Sequence, residues 1–149
     1  MPEITPNLWF DGQGLEAARW YVSLFPNSRV TNVMGEPDAP VTVDFELDGR
    51  PFTAINGGPQ FTFDEAISFA IPCADQAEAD RYWAALTDGG TESRCGWLRD
   101  RYGVSWQVIP EGLAELLGDP DPERAKRATE AMLGMSRIDL DAIRAAADG

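Results

Sequence analysis

Two side-chain amides are the polar groups of this chain best placed to handle a ligand. Asn56 ends a mostly apolar run that is predicted to be a strand, and Gln107 lies inside another such run. Amides in an apolar cleft can orient a small molecule through hydrogen bonds. They can equally bond the neighbouring backbone, as buried amides usually do, and the sequence leaves both interpretations open. Trp97, in the run before Gln107, can either stack on a planar ligand or serve the core.

The chain contains no histidine, and this absence limits its chemistry. Ser-His-Asp and Cys-His catalysis are excluded, together with the commonest general base and the commonest metal ligand. The two cysteines are not in a Cys-x-x-Cys arrangement, since Cys73 ends one apolar run and Cys95 starts another. We interpret both as core thiols that stay reduced in a cytoplasmic protein.

The strongly negative net charge limits the kinds of molecule that this chain can bind. The net charge is −13, with 25 acidic and 12 basic residues among 149. Such a surface repels nucleic-acid phosphates and anionic membranes, so we expect neither as a partner. No apolar run approaches the length of a membrane span, and the start, Met1-Pro2-Glu3, lacks the features of a signal peptide. We therefore expect a cytoplasmic protein that folds as a single domain over residues 1–149.

A sequence repeat supplies the elements that must position these residues. The segment from Glu16 to Tyr21, with Leu24, recurs 62 positions later from Glu78 to Trp83, with Leu86. Each copy follows a short apolar run and precedes two strand-like runs joined by a glycine turn. A repeat of this length indicates one structural module used twice. Two such modules predict a pseudo-symmetric sheet with a concave face for a ligand.

Hydrophobic periodicity and turn residues predict the elements of each module. The first module, residues 4–56, should contain strands at 4–10, 29–34, 41–47 and 51–56 and a helix at 15–24. The second, residues 66–109, should contain strands at 67–71, 91–93, 95–99 and 104–109 and a helix that Asp75 caps and that ends near Leu86. Residues 110–149 should form a C-terminal helical appendage, with helices at 113–117, 123–133 and 140–147.

Several strings of residues, taken in order, are similar to one protein family. They are Leu8-Trp9-Phe10-Asp11-Gly12-Gln13, Ser23-Leu24-Phe25-Pro26-Asn27-Ser28, Asn56-Gly57-Gly58-Pro59, the segment from Cys95 to Gln107, and Met135-Ser136-Arg137-Ile138-Asp139-Leu140. Together they resemble the PhnB-like branch of the glyoxalase/bleomycin-resistance/dioxygenase superfamily, also called vicinal oxygen chelate proteins. Members often carry the name 3-demethylubiquinone-9 3-methyltransferase. The resemblance covers nearly the whole chain.

The resemblance implies an α+β fold of two βαβββ modules that form a curved mixed sheet, plus C-terminal helices. Metal-dependent enzymes of the superfamily take one metal ligand from the first strand and one from the last strand of each module. By this resemblance, the four metal-ligand positions correspond to Pro6, Asn56 (or its same-face neighbour Ala54), Ser68 and Gln107 in this chain. None is anionic and none is an imidazole, whereas a divalent site needs carboxylate, imidazole or thiolate ligands.

We therefore expect a metal-free site with no cofactor. The residues expected to converge on one cavity and bind the ligand are Pro6, Asn56, Ser68, Trp97 and Gln107. A wall of hydroxyl, amide and apolar groups can orient a ligand but supplies little proton transfer. The sequence thus predicts a protein that binds a small, largely apolar molecule, with no reaction assigned and catalysis left open.

Two other functions stay open as alternatives. One is a metal-dependent lyase, isomerase or dioxygenase, and the other is the methyltransferase that the family name suggests. The common methyltransferase fold places a Gly-rich turn between a strand and a helix in a doubly wound sheet, and Pro59 would stop such a helix after Gly57-Gly58. The apolar residues of the C-terminal helices further predict a symmetric homodimer, because exposed apolar surface usually marks an interface.

Overall fold

The computed structural model describes residues 2–149. No helix in that range is long and apolar enough to cross a membrane. The chain divides into two compact units, one ending at Phe63 and the other running from Asp64 to Gly149. Each unit holds one sheet.

The first unit is a βαβββ module. Its elements are β1 (Asn7–Phe10), α1 (Gly14–Leu24), β2 (Arg29–Glu36), β3 (Ala39–Leu47) and β4 (Arg50–Asn56). The strand order is β1-β4-β3-β2, with β1 parallel to β4 and the other neighbours antiparallel. Asp48 and Gly49 form the hairpin turn between β3 and β4, and both have positive φ angles (49° and 76°), which a two-residue turn of this hand requires.

The second unit repeats this topology. It contains β5 (Ser68–Cys73), α2 (Gln76–Thr87), β6 (Thr91–Glu92), β7 (Trp97–Arg99) and β8 (Ser105–Pro110), in the order β5-β8-β7-β6. As expected, Asp75 caps α2 by accepting a hydrogen bond from the Glu78 amide at 2.8 Å. The two modules predicted from the repeat, and the α+β class that the family resemblance implies, are confirmed.

Two predicted strands begin two or more residues later in the structure. The first begins at Asn7 instead of Ile4, because Pro6 has no N–H to donate to a neighbouring strand. Its carbonyl still accepts a hydrogen bond from the Thr53 amide at 3.0 Å. The third strand of the second module begins at Trp97, because Cys95 (φ 58°) and Gly96 (φ 83°) form a left-handed turn.

Each module helix packs on one face of its own sheet. In the first unit, the Tyr21 ring of α1 stacks on Phe45 at a centroid distance of 6.2 Å, and Phe45 stacks on Phe52. In the second unit, Trp83 and Leu86 of α2 are buried, as are the residues of β7 and β8 that share that side of the sheet. The opposite face of each sheet carries no helix of its own module.

The C-terminal segment forms α3 (Leu113–Leu117), α4 (Pro122–Leu133) and α5 (Leu140–Asp148). Its apolar residues build a cluster of their own, in which Leu113, Ile138, Leu140 and Ile143 are all at most 8% exposed. The homodimer prediction assumed that the apolar residues of these helices are exposed. That assumption is wrong for these four residues, because they bury one another. The homodimer itself stays a prediction.

Backbone and side-chain hydrogen bonds attach this segment to the second module. The amides of Cys95 and Gly96 donate to the carbonyls of Met135 and Ser136, each at 2.8 Å. The Gln76 side chain, at the start of α2, bonds the backbone of residues 138 and 140. A Cβ on Gly96 would lie 2.8 Å from the Val108 carbonyl, so glycine permits this close approach.

Candidate functional site

The helix-free face of the second sheet brings three of the predicted site residues onto one surface. In the strand register, Ser68 lies opposite Ser105, and Gln107 lies between Ala70 and Trp97. Alternate residues of a strand share a face, so the side chains of Ser68, Trp97 and Gln107 project to the same side. Phe69 and Trp106 point the other way, toward α2, and their rings contact each other at 5.5 Å.

A side-chain hydrogen bond joins the two polar residues on this face. Gln107 Nε2 donates to Ser68 Oγ at 2.8 Å, and both side chains are half-buried. The bond uses one N–H of the amide and one lone pair of the hydroxyl. The Ser68 O–H and the Gln107 carbonyl oxygen therefore stay available to donate to and accept from a ligand. Trp97, directly beside Gln107 in the register, offers an apolar ring at the same place.

An ion pair lies at one end of this face. Arg99 follows Trp97 with the same orientation, opposite Ser105, and its guanidinium pairs with the Glu65 carboxylate. Both side chains are about half exposed. The nearby Arg101 pairs instead with Asp88 at 3.5 Å. These pairs partly neutralise the two arginines, which disfavours a site for an acidic ligand at this hairpin.

Asp100 looks catalytic by residue type but has a structural role. Its side chain is 3% exposed and accepts hydrogen bonds from the amides of Tyr102 (2.8 Å) and Val104 (3.1 Å) and from Trp106 Nε1 (2.8 Å). A carboxylate that closes a turn in this way fixes the hairpin. The role of this carboxylate is therefore structural.

In the first sheet, the predicted site residues lie on the side of the helix. Asn56 Oδ1 accepts a hydrogen bond from the Gly14 amide, and Asn56 Nδ2 donates to the Pro40 carbonyl, both at 2.8 Å. A Cβ on Gly14 would lie 2.8 Å from Asn56 Oδ1 and 3.2 Å from Ala54 Cβ. The Asn56 side chain therefore lies on the side of α1 and bonds the backbone, which is the structural alternative weighed for this amide.

Pro6 falls on the same side of the first sheet. It shares its alternation with Leu8 and Phe10, which are buried under α1. Its own side chain is half-buried. The structure thus brings Ser68, Trp97 and Gln107 together on a helix-free face and places Pro6 and Asn56 on the helix side of the other sheet. Whether any of the five contacts a ligand stays a prediction.

A one-residue difference between the modules explains this outcome. The helices α1 and α2 begin at Gly14 and Gln76, 62 positions apart, but β1 and β5 end at Phe10 and Cys73, 63 positions apart. The turn between strand and helix is one residue longer in the first module. The strand counterpart of Ser68 is therefore Thr5 and not Pro6, and a slip of one residue exchanges the two faces of a strand.

The helix-free face of the first sheet holds residues that the sequence analysis did not select. Thr53 Oγ1 donates to Asp44 Oδ1 at 2.7 Å on that face. Trp9 donates from Nε1 to the Gly58 carbonyl at 2.9 Å, and the exposed Phe61 ring meets it edge-on at 4.9 Å. The alternation of buried Leu8 and Phe10 with Trp9 was the signal that could have identified this face.

The buried Cys73 thiol is a poor nucleophile at neutral pH. Cys73 is 2% exposed, and burial, followed by the charge of Glu78, raises its thiol pKa to about 11. It lies beside a cleft of about 520 Å³ between the ends of β5 and β8 and the start of α3, rimmed by Glu78, Glu111 and Glu115. Cys95 is half-buried and donates weakly to the Met132 carbonyl. The core interpretation of Cys73 is confirmed.

A metal ion does not fit the donor sets found here. Within residues 2–149 no three Asp, Glu, Cys or His side chains lie together in an arrangement that could hold one. The groups at the superfamily positions are a hydroxyl (Ser68), two amides (Asn56, Gln107) and a proline. Neutral oxygen donors of this kind do not offset the desolvation of a divalent ion. We therefore assign no step of chemistry to a metal.

Comparison with solved structures supports the fold and identifies similar proteins. The PhnB protein of Bacillus cereus, described as a 3-demethylubiquinone-9 3-methyltransferase, is 29% identical to this chain with a TM-score of 0.68, over 73% of this chain and 99% of its own. Protein PA1353 of Pseudomonas aeruginosa is 23% identical with a TM-score of 0.63, over 74% and 98%. A Bacillus cereus protein described as a "possible glyoxalase" is 14% identical with a TM-score of 0.53, over 73% and 98%. The last two show the fold alone.

A family model settles the relationship. A comparison with curated proteins gives no significant match. The model of the 3-demethylubiquinone-9 3-methyltransferase family matches residues 2–109, which are the two modules without the C-terminal helices. The chain therefore belongs to the 3-demethylubiquinone-9 3-methyltransferase family, in which it resembles the PhnB protein of Bacillus cereus.

Proposed function

We propose that this protein binds a small, largely apolar molecule without a metal ion, and that the helix-free face of the second sheet is a wall of its site. The observation that carries the proposal is the Gln107–Ser68 hydrogen bond beside Trp97. It fixes the orientation of the amide and leaves the second Gln107 N–H and the Ser68 O–H as donors and the Gln107 carbonyl oxygen as an acceptor for a ligand. Family membership and the glyoxalase-type fold support small-molecule binding in general.

The chemistry of this wall defines the ligand class. A planar or aliphatic body can pack on Trp97, and one carbonyl or hydroxyl group can bond Gln107 or Ser68. No histidine is available as a general base, and the Glu65 carboxylate at one end of this face is paired with Arg99. The wall therefore favours orientation and weak polarisation of a carbonyl over proton transfer, and no reaction is assigned.

The experiment is a binding titration with simple probes of this class. Acetophenone and benzamide each combine an apolar ring with one carbonyl, and the shifts of the Gln107 side-chain amide and the Trp97 indole N–H can be followed by NMR. We expect Gln107→Ala to weaken binding about three- to tenfold, which is the value of one hydrogen bond. Gln13→Ala is the control, since the Gln13 side chain makes no capping bond in the first module.

One result of this titration would refute the proposal. Equal affinities for wild type and Gln107→Ala, with neither resonance shifting, would refute this wall as the site. Gln107→Glu alone should not create a tight metal site, because one carboxylate beside a hydroxyl is too few charged ligands.

Two alternatives are tested on the same purified protein. Stoichiometric bound metal in an elemental analysis would favour a metal-dependent lyase, isomerase or dioxygenase. Sub-micromolar binding of S-adenosylmethionine in calorimetry would favour the methyltransferase that the family name suggests. The proposal also includes a cytoplasmic location, which the two free cysteines support.

A further inference from the structure

The helix-free face of the second sheet is covered at one end. Ser105 shares this face with Gln107, two positions further along β8, because alternate residues of a strand project to the same side. The helix α2 packs on the other face, yet Ser105 is only 1% exposed, whereas Gln107 is half-buried. Another part of the chain must therefore lie over Ser105.

The segment of residues 64–66, here called the strap, supplies this cover. Ser105 Oγ donates a hydrogen bond to the Asp64 carbonyl at 3.4 Å, so the strap backbone lies directly over β8. The Ala66 amide donates to Asp64 Oδ1 at 2.9 Å, which folds the strap into a local turn. The side chain of Glu65 forms an ion pair with Arg99 of β7. The strap is thus attached to two strands of the sheet.

The strand register shows where this ion pair lies on the ligand-binding wall. Ser105 is placed between Ser68 on β5 and Arg99 on β7 in one row across the sheet. Arg99 has the same orientation as Trp97, two positions earlier on β7, a separation of about 6.6 Å along the strand. A ligand that packs on Trp97 therefore has the Arg99 guanidinium within reach, and the Glu65 carboxylate already occupies it.

The ion pair determines which charge the wall presents to a ligand. An arginine without a partner would attract carboxylates, because the planar guanidinium donates two parallel hydrogen bonds to them. Since Glu65 is tethered beside Arg99, a ligand carboxylate would have to displace a competitor of high effective concentration. Both side chains are about half exposed, so the pair contributes little to stability and Glu65 can be replaced without unfolding the unit.

We propose that Glu65 is a specificity-determining residue of the second-sheet site. Its carboxylate takes the place at Arg99 that the carboxylate of a ligand would take, and it thereby restricts the site to uncharged molecules. This inference rests on the proposed function and adds the class of ligand that the site rejects. Removal of Glu65 should convert the end of the wall into a subsite for a carboxylate.

The test compares two ligands that differ by one carboxylate. Acetophenone is the uncharged probe, and 3- and 4-acetylbenzoate add a carboxylate at two distances from the same carbonyl. NMR titration gives the ratio of the Kd for each acid to the Kd for acetophenone. We expect this ratio to fall about three- to tenfold in Glu65→Ala, the value of one charged hydrogen-bonded contact in a half-exposed site. The double variant Glu65→Ala/Arg99→Ala should lose that gain.

A matched control separates the strap from net charge. Asp88→Ala removes one negative charge as well and takes the ion-pair partner at 3.5 Å from Arg101 of the same hairpin. Arg101 does not belong to the wall, so the ratio should stay at the wild-type value. Circular dichroism checks that each variant is folded.

A measurement without ligand tests the cover itself. In Ser105→Cys, the thiol at position 105 lies beneath the strap, and its alkylation by iodoacetamide, followed by mass spectrometry of the peptide, requires the strap to open. Adding Glu65→Ala should accelerate this alkylation about tenfold, whereas adding Asp88→Ala should not.

The outcomes separate this inference from the proposed function. If acetophenone does not bind the wild type, the proposed function fails and this inference fails with it. If acetophenone binds, an unchanged ratio in Glu65→Ala, the same fall in Asp88→Ala, or equal alkylation rates with and without Glu65 would each overturn the role given to Glu65 alone.

Discussion

The Gln76 side chain connects the C-terminal segment to the second module, and its removal should destabilise both. Gln76 Nε2 donates to the Ile138 carbonyl at 2.8 Å, and Oε1 accepts from the Leu140 amide at 2.9 Å. Ile138 and Leu140 are 2% and 4% exposed. Gln76→Ala would therefore leave one buried carbonyl and one buried amide without partners. The helix itself should tolerate alanine at its first position.

The magnitude follows from these two groups. A buried polar group that loses its partner costs about 1–3 kcal/mol. Because Gln76 is half-buried, water can partly replace it, and we take about 2 kcal/mol in total from the lower end of that range. For a chain of this size such a loss lowers the Tm by about 4–8 °C.

The assay is thermal and urea unfolding followed by circular dichroism. Gln13→Ala is the matched control, and a surface change of this kind should alter the free energy of unfolding by no more than about 0.5 kcal/mol. Hydrogen exchange of the Leu140 amide should accelerate in Gln76→Ala. A Tm within about 1 °C of the control, with Leu140 still protected, would refute the role given to the Gln76 amide.

Two further predictions concern packing and pH. Gly57→Ala should destabilise the first unit by about 1–3 kcal/mol, because the added Cβ would overlap the Trp9 ring; Gly134→Ala, whose Cβ meets only ordinary contacts, is the control in the same urea titration. The Cys73 pKa is raised from 9.0 to about 11, so the folded state holds the thiol proton where the unfolded state loses it, and this contribution to stability is full below pH 9 and lost as the pH rises toward 11. The Tm difference between wild type and Cys73→Ala should shrink across that window, whereas a constant difference would contradict the assignment.

The repeat made the modules predictable from the sequence. Glu16 and Glu78 start matching helical segments, and their surroundings predicted the helices and strands of both sheets. A local signal with a direct physical cause was also confirmed, namely Asp75 as the N-cap of α2. These features depend on a few neighbouring residues, so the sequence alone contains them.

The faces of the first sheet were not predictable from the same offset. The turn after Phe10 contains one more residue than the turn after Cys73, so the helix offset does not apply to the strands. Because side chains alternate along a strand, that single residue moved Pro6 to the side of α1. In the second module the site positions did not depend on the helix offset. Ser68, Trp97 and Gln107 share the predicted face.

The roles of individual amides depend on tertiary contacts that composition does not reveal. Asn56 bonds Gly14 and Pro40, which are 42 and 16 positions away in the chain. The Gln107 side chain bonds Ser68, 39 positions away. Both residues had the same description in the sequence, a polar amide in an apolar run. Only the positions of their hydrogen-bond partners distinguish Asn56, which bonds the backbone, from Gln107, which bonds a side chain on the helix-free face.

The most direct test of small-molecule binding at the second sheet is a crystal structure of the protein with a benzamide or acetophenone probe bound. The account predicts that the carbonyl oxygen of the probe lies within hydrogen-bond distance of Gln107 Nε2 or Ser68 Oγ, with its ring against Trp97. A probe bound elsewhere, with the Gln107–Ser68 face in contact with solvent alone, would contradict it.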